Sequence, residues 1–295
     1  NEWIGYLLLR PSNIMYALKL GQSLVSSNRI GVANDFVFEI NNISLVGTSP
    51  NGQYQLALSN FGTTNVVVDW GDGAKDTITS YNAAETLHTY PTNGNFIVKM
   101  RGDYSFRESG SIDSPKMVNI EKWGGFVFKQ SSALFQTVTT CTATDVAQVT
   151  STNMSSTLKG NGNFNGVLNE LDVSNVTNFQ SFFFGNSVFN QPLNSWNTSS
   201  ATRMDSMFRN AVAFDQDISS WDITSVTNLS NFMTGATLST VNYDALLVGW
   251  EAQAPSTGVT VDFGSSKYSV GSSAEVARNE LITTYSWTIT DGGGI

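Results

Sequence analysis

Cysteine and histidine are almost absent from this chain of 295 residues, which has one of each, Cys141 and His88. A single cysteine excludes an internal disulfide framework and a cysteine-ligated metal site. We therefore expect Cys141 to be a small buried core residue. Because Ser-His or Cys-His catalysis would depend on His88 alone, we interpret His88 as a structural hydrogen-bond partner of a neighbouring turn.

Charged residues are scarce as well, at 13% of the chain, and the formal net charge is −9. This balance argues against a nucleic acid or an anionic membrane as partner, because both favour a basic surface. A neutral or cationic partner, such as a glycan, stays open. The apolar run at residues 3–9 is far too short to span a membrane. The chain begins with Asn1 and shows no signal peptide, so we expect a processed or partial chain.

The sequence repeats itself every 25 residues between about Gly160 and Gly235. Four columns of residues keep this period: Phe164, Phe189 and Phe214; Leu168, Leu193 and Ile218; Leu171, Trp196 and Trp221; Phe183, Phe208 and Met233. A period of this length with an apolar ladder is typical of a leucine-rich-type solenoid, in which each unit buries its apolar side against the next. Within one unit we predict a strand at 214–219, a turn at 221–225 and helical turns at 226–233.

The repeats also resemble a known family. The strings Phe189-Asn190-Gln191-Pro192-Leu193 and Phe214-Asp215-Gln216-Asp217-Ile218 are similar to the BspA-like, or mycoplasma-lipoprotein-type, leucine-rich repeat. The tail, with Leu246-Leu247-Val248-Gly249-Trp250 and Tyr285-Ser286-Trp287, resembles the terminal cap that follows such repeats in proteins of Bacteroidetes-type bacteria and their phages. The resemblance covers about residues 120–293 and implies a surface protein.

Residues 35–113 differ from the repeats and predict short strands at 36–40, 54–58, 66–70 and 96–100. Regular strands with turns between them favour a β-sandwich. Val68-Asp69-Trp70-Gly71-Asp72-Gly73 and His88-Thr89-Tyr90 resemble a PKD-like, immunoglobulin-like module. Such modules are usually spacers or binding units.

These patterns predict a β-rich chain: an immunoglobulin-like β-sandwich, then a leucine-rich-repeat-type solenoid with an α/β C-terminal cap. We divide it into an attachment segment (1–34), a PKD-like sandwich (35–113), a solenoid (114–240) and a cap (241–295). In the cap we expect helices at 241–252 and 273–284, and strands at 259–263 and 286–290.

The sequence offers no convincing catalytic set, metal site or cofactor site. Asp69 and Asp72 flank a glycine turn where calcium is conceivable, but turn capping is the better interpretation. Arg101-Gly102-Asp103 spells an integrin-type tripeptide, which is common by chance. Binding is expected to come from exposed aromatic, amide and acidic side chains on the repeats. The predicted ligand-binding residues are Trp196, Trp221, Asn194, Asp217 and Asp222.

Two functions from different classes follow. The first is a non-enzymatic adhesion protein at the cell surface, in which the repeats bind a host or cell-surface protein or glycan. The second is a phage virion component, such as a fibre, spike or capsid-decorating subunit, docked to a neighbouring subunit through residues 1–34. An enzyme comes last, because the sequence offers no convincing catalytic set and a 25-residue solenoid gives no hint of a deep acidic cleft. Paired carboxylates for glycoside hydrolysis stay open, since the separation that they need is a spatial property.

Overall fold

The computed structural model describes residues 34–43, 45, 48–60, 62–106, 113–129, 135, 138 and 140–295. Apart from Asn34, the predicted attachment segment lies outside the described residues. The domain boundaries predicted at 113/114 and 240/241 stay predictions.

In the described residues, ten strands come before the repeats. They are β1 (Phe36–Asn41), β2 (Gln53–Gln55), β3 (Asn65–Asp69), β4 (Lys75–Ile78), β5 (Leu87–Thr89), β6 (Asn95–Asp103), β7 (Met117–Lys122), β8 (Val127–Phe128), β9 (Thr140–Cys141) and β10 (Gln148–Val149). Six of them form one mixed sheet in the order β4-β3-β6-β1-β7-β9, antiparallel except for the parallel pair β7–β9. The remaining four pair as β2–β5 and β8–β10.

Side-chain alternation explains the large sheet. Phe36, Phe38 and Ile40 on β1 are fully buried, whereas Val37 and Glu39 between them are partly exposed. Such a period of two is what a strand with one buried face requires. The strands predicted at 36–40, 66–70 and 96–100 are confirmed as β1, β3 and β6, and the strand predicted at 54–58 shortens to β2.

The predicted immunoglobulin-like sandwich is wrong. Strands β1, β3, β4 and β6, which a sandwich would distribute between two facing sheets, all lie in the same six-stranded sheet. Among the described residues up to Phe106, the additional pairing is the short β2–β5 ribbon, with one isolated bridge between Leu58 and Phe106. Strand β7, which pairs with β1, and β9 extend this sheet toward the repeats, and sequence spacing alone gave no sign of that pairing.

The repeats form four stacked coils, which we call the repeat stack: residues 153–160, 178–185, 203–210 and 228–235 with the segments between them. Asn153, Asn178, Arg203 and Asn228 occupy equivalent positions and are joined by isolated parallel bridges. Alternate backbone N–H groups donate to the next coil: Phe179 to Arg203 O at 2.9 Å and Phe183 to Met207 O at 2.9 Å. The intervening N–H groups close four-residue turns within a coil, as the Phe182 N–H does by donating to Phe179 O at 3.1 Å.

The apolar columns lie inside the stack, as the 25-residue period predicts. Phe189 stacks on Phe164 at 6.4 Å and on Phe214 at 6.2 Å between ring centroids. Phe183 and Phe208 stack at 5.3 Å and 9°. All five rings are 0% exposed, so burial of these columns is the main stabilising contribution to the stack.

The predicted leucine-rich-type solenoid is also wrong. Such a solenoid needs one strand per unit in a continuous sheet, and the described repeats contain isolated bridges instead. The strand predicted at 214–219 is absent, and consecutive turns replace the helical turns predicted at 226–233. The turn predicted at 221–225 is present, since Val226 N–H donates to Ile223 O at 3.0 Å.

The C-terminal part contains helices α1 (Thr240–Glu251) and α2 (Ser273–Thr283) and the parallel strands β11 (Thr260–Asp262) and β12 (Thr288–Thr290), which confirms the four predicted elements. Ser239 and Ser272 cap the helix N-termini with their side-chain oxygens. Trp250 of α1 replaces the tryptophan of a further repeat, because its Nε1–H donates to Ile218 O at 3.1 Å. Among the described residues, no helix has both the length and the apolar character needed to cross a membrane.

Candidate binding surface

One side of the repeat stack presents side chains in regular columns, and we call it the turn face. It consists of the outward-pointing side chains of residues 153–160, 178–185, 203–210 and 228–235. Ser156, Ser181, Ser206 and Asn231 adopt positive φ angles of 56–58° at equivalent positions. These left-handed residues reverse the chain between successive turns, so that residues on either side point alternately into the core and out to solvent.

The inward positions of the turn face are apolar and the outward ones are mainly polar. Met154, Phe179, Met204 and Leu229 are 0% exposed. The outward columns are Asn153, Asn178, Arg203 and Asn228; Ser155, Gln180, Asp205 and Ser230; and Lys159, Phe184, Arg209 and Thr234. Asparagine side chains at the first position accept from the backbone two residues on, as Asn178 Oδ1 does from Gln180 N–H at 2.9 Å.

Lys159, Phe184 and Arg209 form a column on the turn face, which we call the basic column. Lys159 Nζ lies 5.1 Å and Arg209 Cζ 5.5 Å from the centroid of the Phe184 ring. Both distances are in the range of a cation–π contact. All three side chains are partly exposed. Arg209 Nε is buried and has no hydrogen-bond partner in the described part of the chain.

The buried carboxylate of Asp205 neutralises the charge of the neighbouring Arg203. Arg203 Nε lies 3.1 Å from Asp205 Oδ1, and Asn228 Nδ2 donates to the same oxygen at 3.2 Å. Asp205 is 8% exposed, whereas the Arg203 side chain is 44% exposed. Arg203 is therefore a neutralised cation, and its exposed edge still offers hydrogen-bond donors.

The expected exposure of the two predicted tryptophans is wrong. Trp196 is 3% and Trp221 0% exposed, and their rings stack at 6.0 Å and 6°. Each indole N–H donates to a carbonyl of the preceding coil, Trp196 to Leu168 O at 2.8 Å and Trp221 to Leu193 O at 2.9 Å. A tryptophan at a turn points inward here because the coil beneath supplies an acceptor for its one polar atom.

The three polar candidates lie on the surface away from the turn face. Asn194 and Asp217 are exposed and Asp222 is partly exposed. Asp217 Oδ1 accepts from Ser219 N–H at 2.9 Å, and Asp222 Oδ1 accepts from the N–H and hydroxyl of Thr224. The structure places these carboxylates as turn caps and does not gather them with Asn194 into one site.

Other motifs from the sequence are tied into the fold. His88 Nε2 lies 2.9 Å from Asp72 Oδ2, and its ring stacks on Trp70 at 4.6 Å, which confirms its structural hydrogen bond. Arg101 pairs with Asp35, and Asp103 with Lys129. Arg101-Gly102-Asp103 is thus locked in β6. Within the described residues, no group of three or more His, Cys, Asp or Glu side chains is placed to hold a metal.

Cys141 is partly buried rather than fully buried, and it packs against the core. Burial raises the pKa of its thiol to about 11. The thiol is therefore neutral at physiological pH and a poor nucleophile.

The basic column was readable in the same 25-residue alignment, since its residues are spaced by that period. The run Phe182-Phe183-Phe184 hides it, because three adjacent phenylalanines all look like core residues. Phe182 and Phe183 are buried and Phe184 faces outward. Only the alternation imposed by the turns separates them.

Residues 125–245 match the model of a family described as "Mycoplasma protein of unknown function, DUF285". No curated protein and no solved structure matches the chain.

Proposed function

We propose that this chain is a non-enzymatic binding protein displayed at a cell surface, and that the turn face contacts a protein or glycan partner. The observation that carries the proposal is the basic column. Two cations there flank one partly exposed ring and make no ion pair with a described carboxylate. A side chain held by a ring loses less conformational freedom when it binds, so the column is prepared for a ligand.

The regular construction of the stack supports an extended contact. Hydrogen bonds between successive coils fix the spacing of the outward columns, and the sealed apolar interior keeps the coils rigid. A partner that runs along the columns would meet similar groups at regular intervals. Repeat proteins use such extended surfaces for binding.

The family match supports the resemblance of the repeats to BspA-like surface proteins, and with it an extracellular location. In this proposal residues 1–34 dock the chain to a neighbouring subunit. The part that contains the six-stranded sheet is a spacer that holds the repeat stack.

The proposal is tested by applying the purified chain to a panel of immobilised glycans and cell-envelope proteins. A Gln180→Trp variant places a large side chain in the centre of the turn face and is expected to abolish binding whatever the chemistry of the partner. The matched control is Val212→Trp, at a side chain that is 62% exposed and lies outside the turn face. Binding that survives Gln180→Trp at full strength would contradict the turn face as the contact surface.

A further inference from the structure

We infer that the basic column is a site for an acidic glycan, whose carboxylate or sulfate groups are bound by Lys159 and Arg209. This inference rests on the proposed function and names its ligand class. The starting observation is two cations beside one aromatic ring, in a chain whose net charge is −9.

The two cations stand apart from most others in the described part of the chain. Six of the described lysines and arginines lie within 4.0 Å of a carboxylate: Lys75, Arg101, Lys116, Lys129, Arg203 and Arg278. Lys159 and Arg209 do not belong to this set. Their charge is therefore available to an external anion.

Arg209 has a further reason to bind an anion. Its Nε is buried without an acceptor among the described residues, although the side chain as a whole is partly exposed. A guanidinium partly removed from water and without a counter-charge is costly. An anion at its exposed edge would reduce that cost, and the planar guanidinium suits the two oxygens of a carboxylate or sulfate.

The surrounding side chains favour a sugar over other polyanions. Ser155, Gln180 and Ser230 belong to another outward column of the turn face, whose fourth member, Asp205, is buried and paired with Arg203 and Asn228. Hydroxyl and amide groups donate and accept hydrogen bonds, as sugar hydroxyls require. A nucleic acid needs many phosphate contacts, and the two cations of the basic column on an acidic protein do not supply them. An acidic glycan carries its anions farther apart and fits two cations separated by a ring.

The charge of the whole chain sets the strength of the interaction. A net charge of −9 repels a polyanion at long range, so the site depends on short-range contacts. Loss of one charged hydrogen bond weakens binding by about tenfold. Because two cations take part, the affinity should fall with salt, but only gradually.

The test measures binding of the full chain to hyaluronan, which carries carboxylates, dextran sulfate, which carries sulfates, and neutral dextran. The variant is the double substitution Lys159→Gln and Arg209→Gln. The matched control is Lys99→Gln with Lys267→Gln, two exposed lysines outside the turn face, which changes the net charge equally. Circular dichroism and urea unfolding establish that both variants are folded.

The expected result is binding to hyaluronan, dextran sulfate or both, none to neutral dextran, and at least about a tenfold loss in the Lys159/Arg209 variant alone. Binding to hyaluronan alone identifies carboxylate as the anion, and binding to dextran sulfate alone identifies sulfate. Equal losses in both variants, or no binding to either polyanion, overturn the inference. The inference can fail while another member of the panel binds the wild-type chain and not the Gln180→Trp variant. In that case the proposed function stands. If the chain binds nothing on that panel, the proposed function fails as well.

Discussion

At the scale of single residues, one carbonyl per coil has two donors. Leu193 O accepts from the backbone N–H of Trp196 in its own coil and from the indole of Trp221 in the next. Leu168 O and Ile218 O repeat the arrangement with Trp196 and Trp250. The tryptophan column thus fixes the spacing between coils through these hydrogen bonds, and it also fills the core. This is why residues that the sequence suggested for ligand binding are structural.

Two equivalent asparagines differ in their hydrogen bonds, and this predicts opposite effects of one substitution. Asn161 Oδ1 accepts from Asn163 and Phe164 N–H, and Nδ2 donates to Phe135 O. Asn186, 25 residues later, is 0% exposed with both amide atoms unpaired. We expect Asn161→Ala to lower the free energy of unfolding by roughly 1–3 kcal/mol, and Asn186→Ala to leave it unchanged or raise it.

Urea unfolding of the two alanine variants beside the wild type checks this prediction. The equivalent position in the next coil is already alanine, Ala211, which is also fully buried. A loss at Asn186 as large as that at Asn161 would show that the Asn186 amide has partners and that the stack is arranged differently there.

At the scale of elements, the sequence predicts the register of the stack but not its backbone. The columns at 164, 189 and 214 follow from the period alone, because a side chain that cannot be buried within its own unit must meet its equivalent in the next. The turns do not follow. Apolar residues at 179, 182 and 183 fit the i, i+3, i+4 spacing of a helix equally well. Alternate N–H groups donate instead to carbonyls of the neighbouring coil, 24 residues ahead, so the hydrogen bonds of a helix do not form.

The positive φ angles of the turns give the element-scale prediction. Ser181 has φ 56°, a conformation that costs side-chain-bearing residues roughly 1–2 kcal/mol and β-branched residues more. We expect Ser181→Val to lower the unfolding free energy by at least that amount, whereas Ser181→Gly should preserve it. Thermal and urea unfolding of both variants provide the measurement. Equal stability of the valine and glycine variants would argue against a left-handed residue at this position.

At the scale of the whole molecule, several carboxylates are held ionised by partners. Burial alone would raise the pKa of Asp291, but hydrogen bonds from Arg278, Tyr243 and the Gly293 N–H outweigh it and lower the pKa. Arg278 Nε lies 2.7 Å from Asp291 Oδ2, and the Asp291 side chain is 3% exposed. This group ties α2 to the segment after β12 and to Tyr243 of α1.

The direction of that shift sets the response to acid. A carboxylate whose pKa is lower in the folded state contributes stability that is complete above the unfolded pKa of about 3.9 and is lost as the pH falls through the folded value. The unfolding free energy should therefore drop below about pH 4. Asp291→Asn should cost roughly 3 kcal/mol at pH 7, with a flatter acid branch.

Melting curves from pH 2 to pH 7 for the wild type, Asp291→Asn and the exposed control Asp217→Asn provide the measurement. The control removes the same charge at a surface turn, and its melting temperature should depend on pH as that of the wild type does. An acid branch for Asp291→Asn as steep as that of the wild type would mean that the ion pair contributes nothing to acid sensitivity.

The candidate site was less predictable than the core columns and the secondary structure elements of the C-terminal part, because only three residues of one column form it. Lys159, Phe184 and Arg209 share a column, yet the sequence gives no sign that the ring faces outward or that both cations lack carboxylates. Pairing is a property of three-dimensional neighbours, as Arg101 shows by meeting Asp35, 66 residues away in the sequence. The sequence suggested instead Trp196 and Trp221, which were expected to be exposed and are buried.

Display at a surface is the central claim, and immunogold electron microscopy on the source culture tests it most directly. An antibody to the repeat stack is applied to intact cells, sectioned cells and any particles in the same preparation. We expect label along the outer envelope of intact cells. Label confined to particles would replace the cell surface with the virion alternative, and label found only in the interior of sectioned cells would contradict the account.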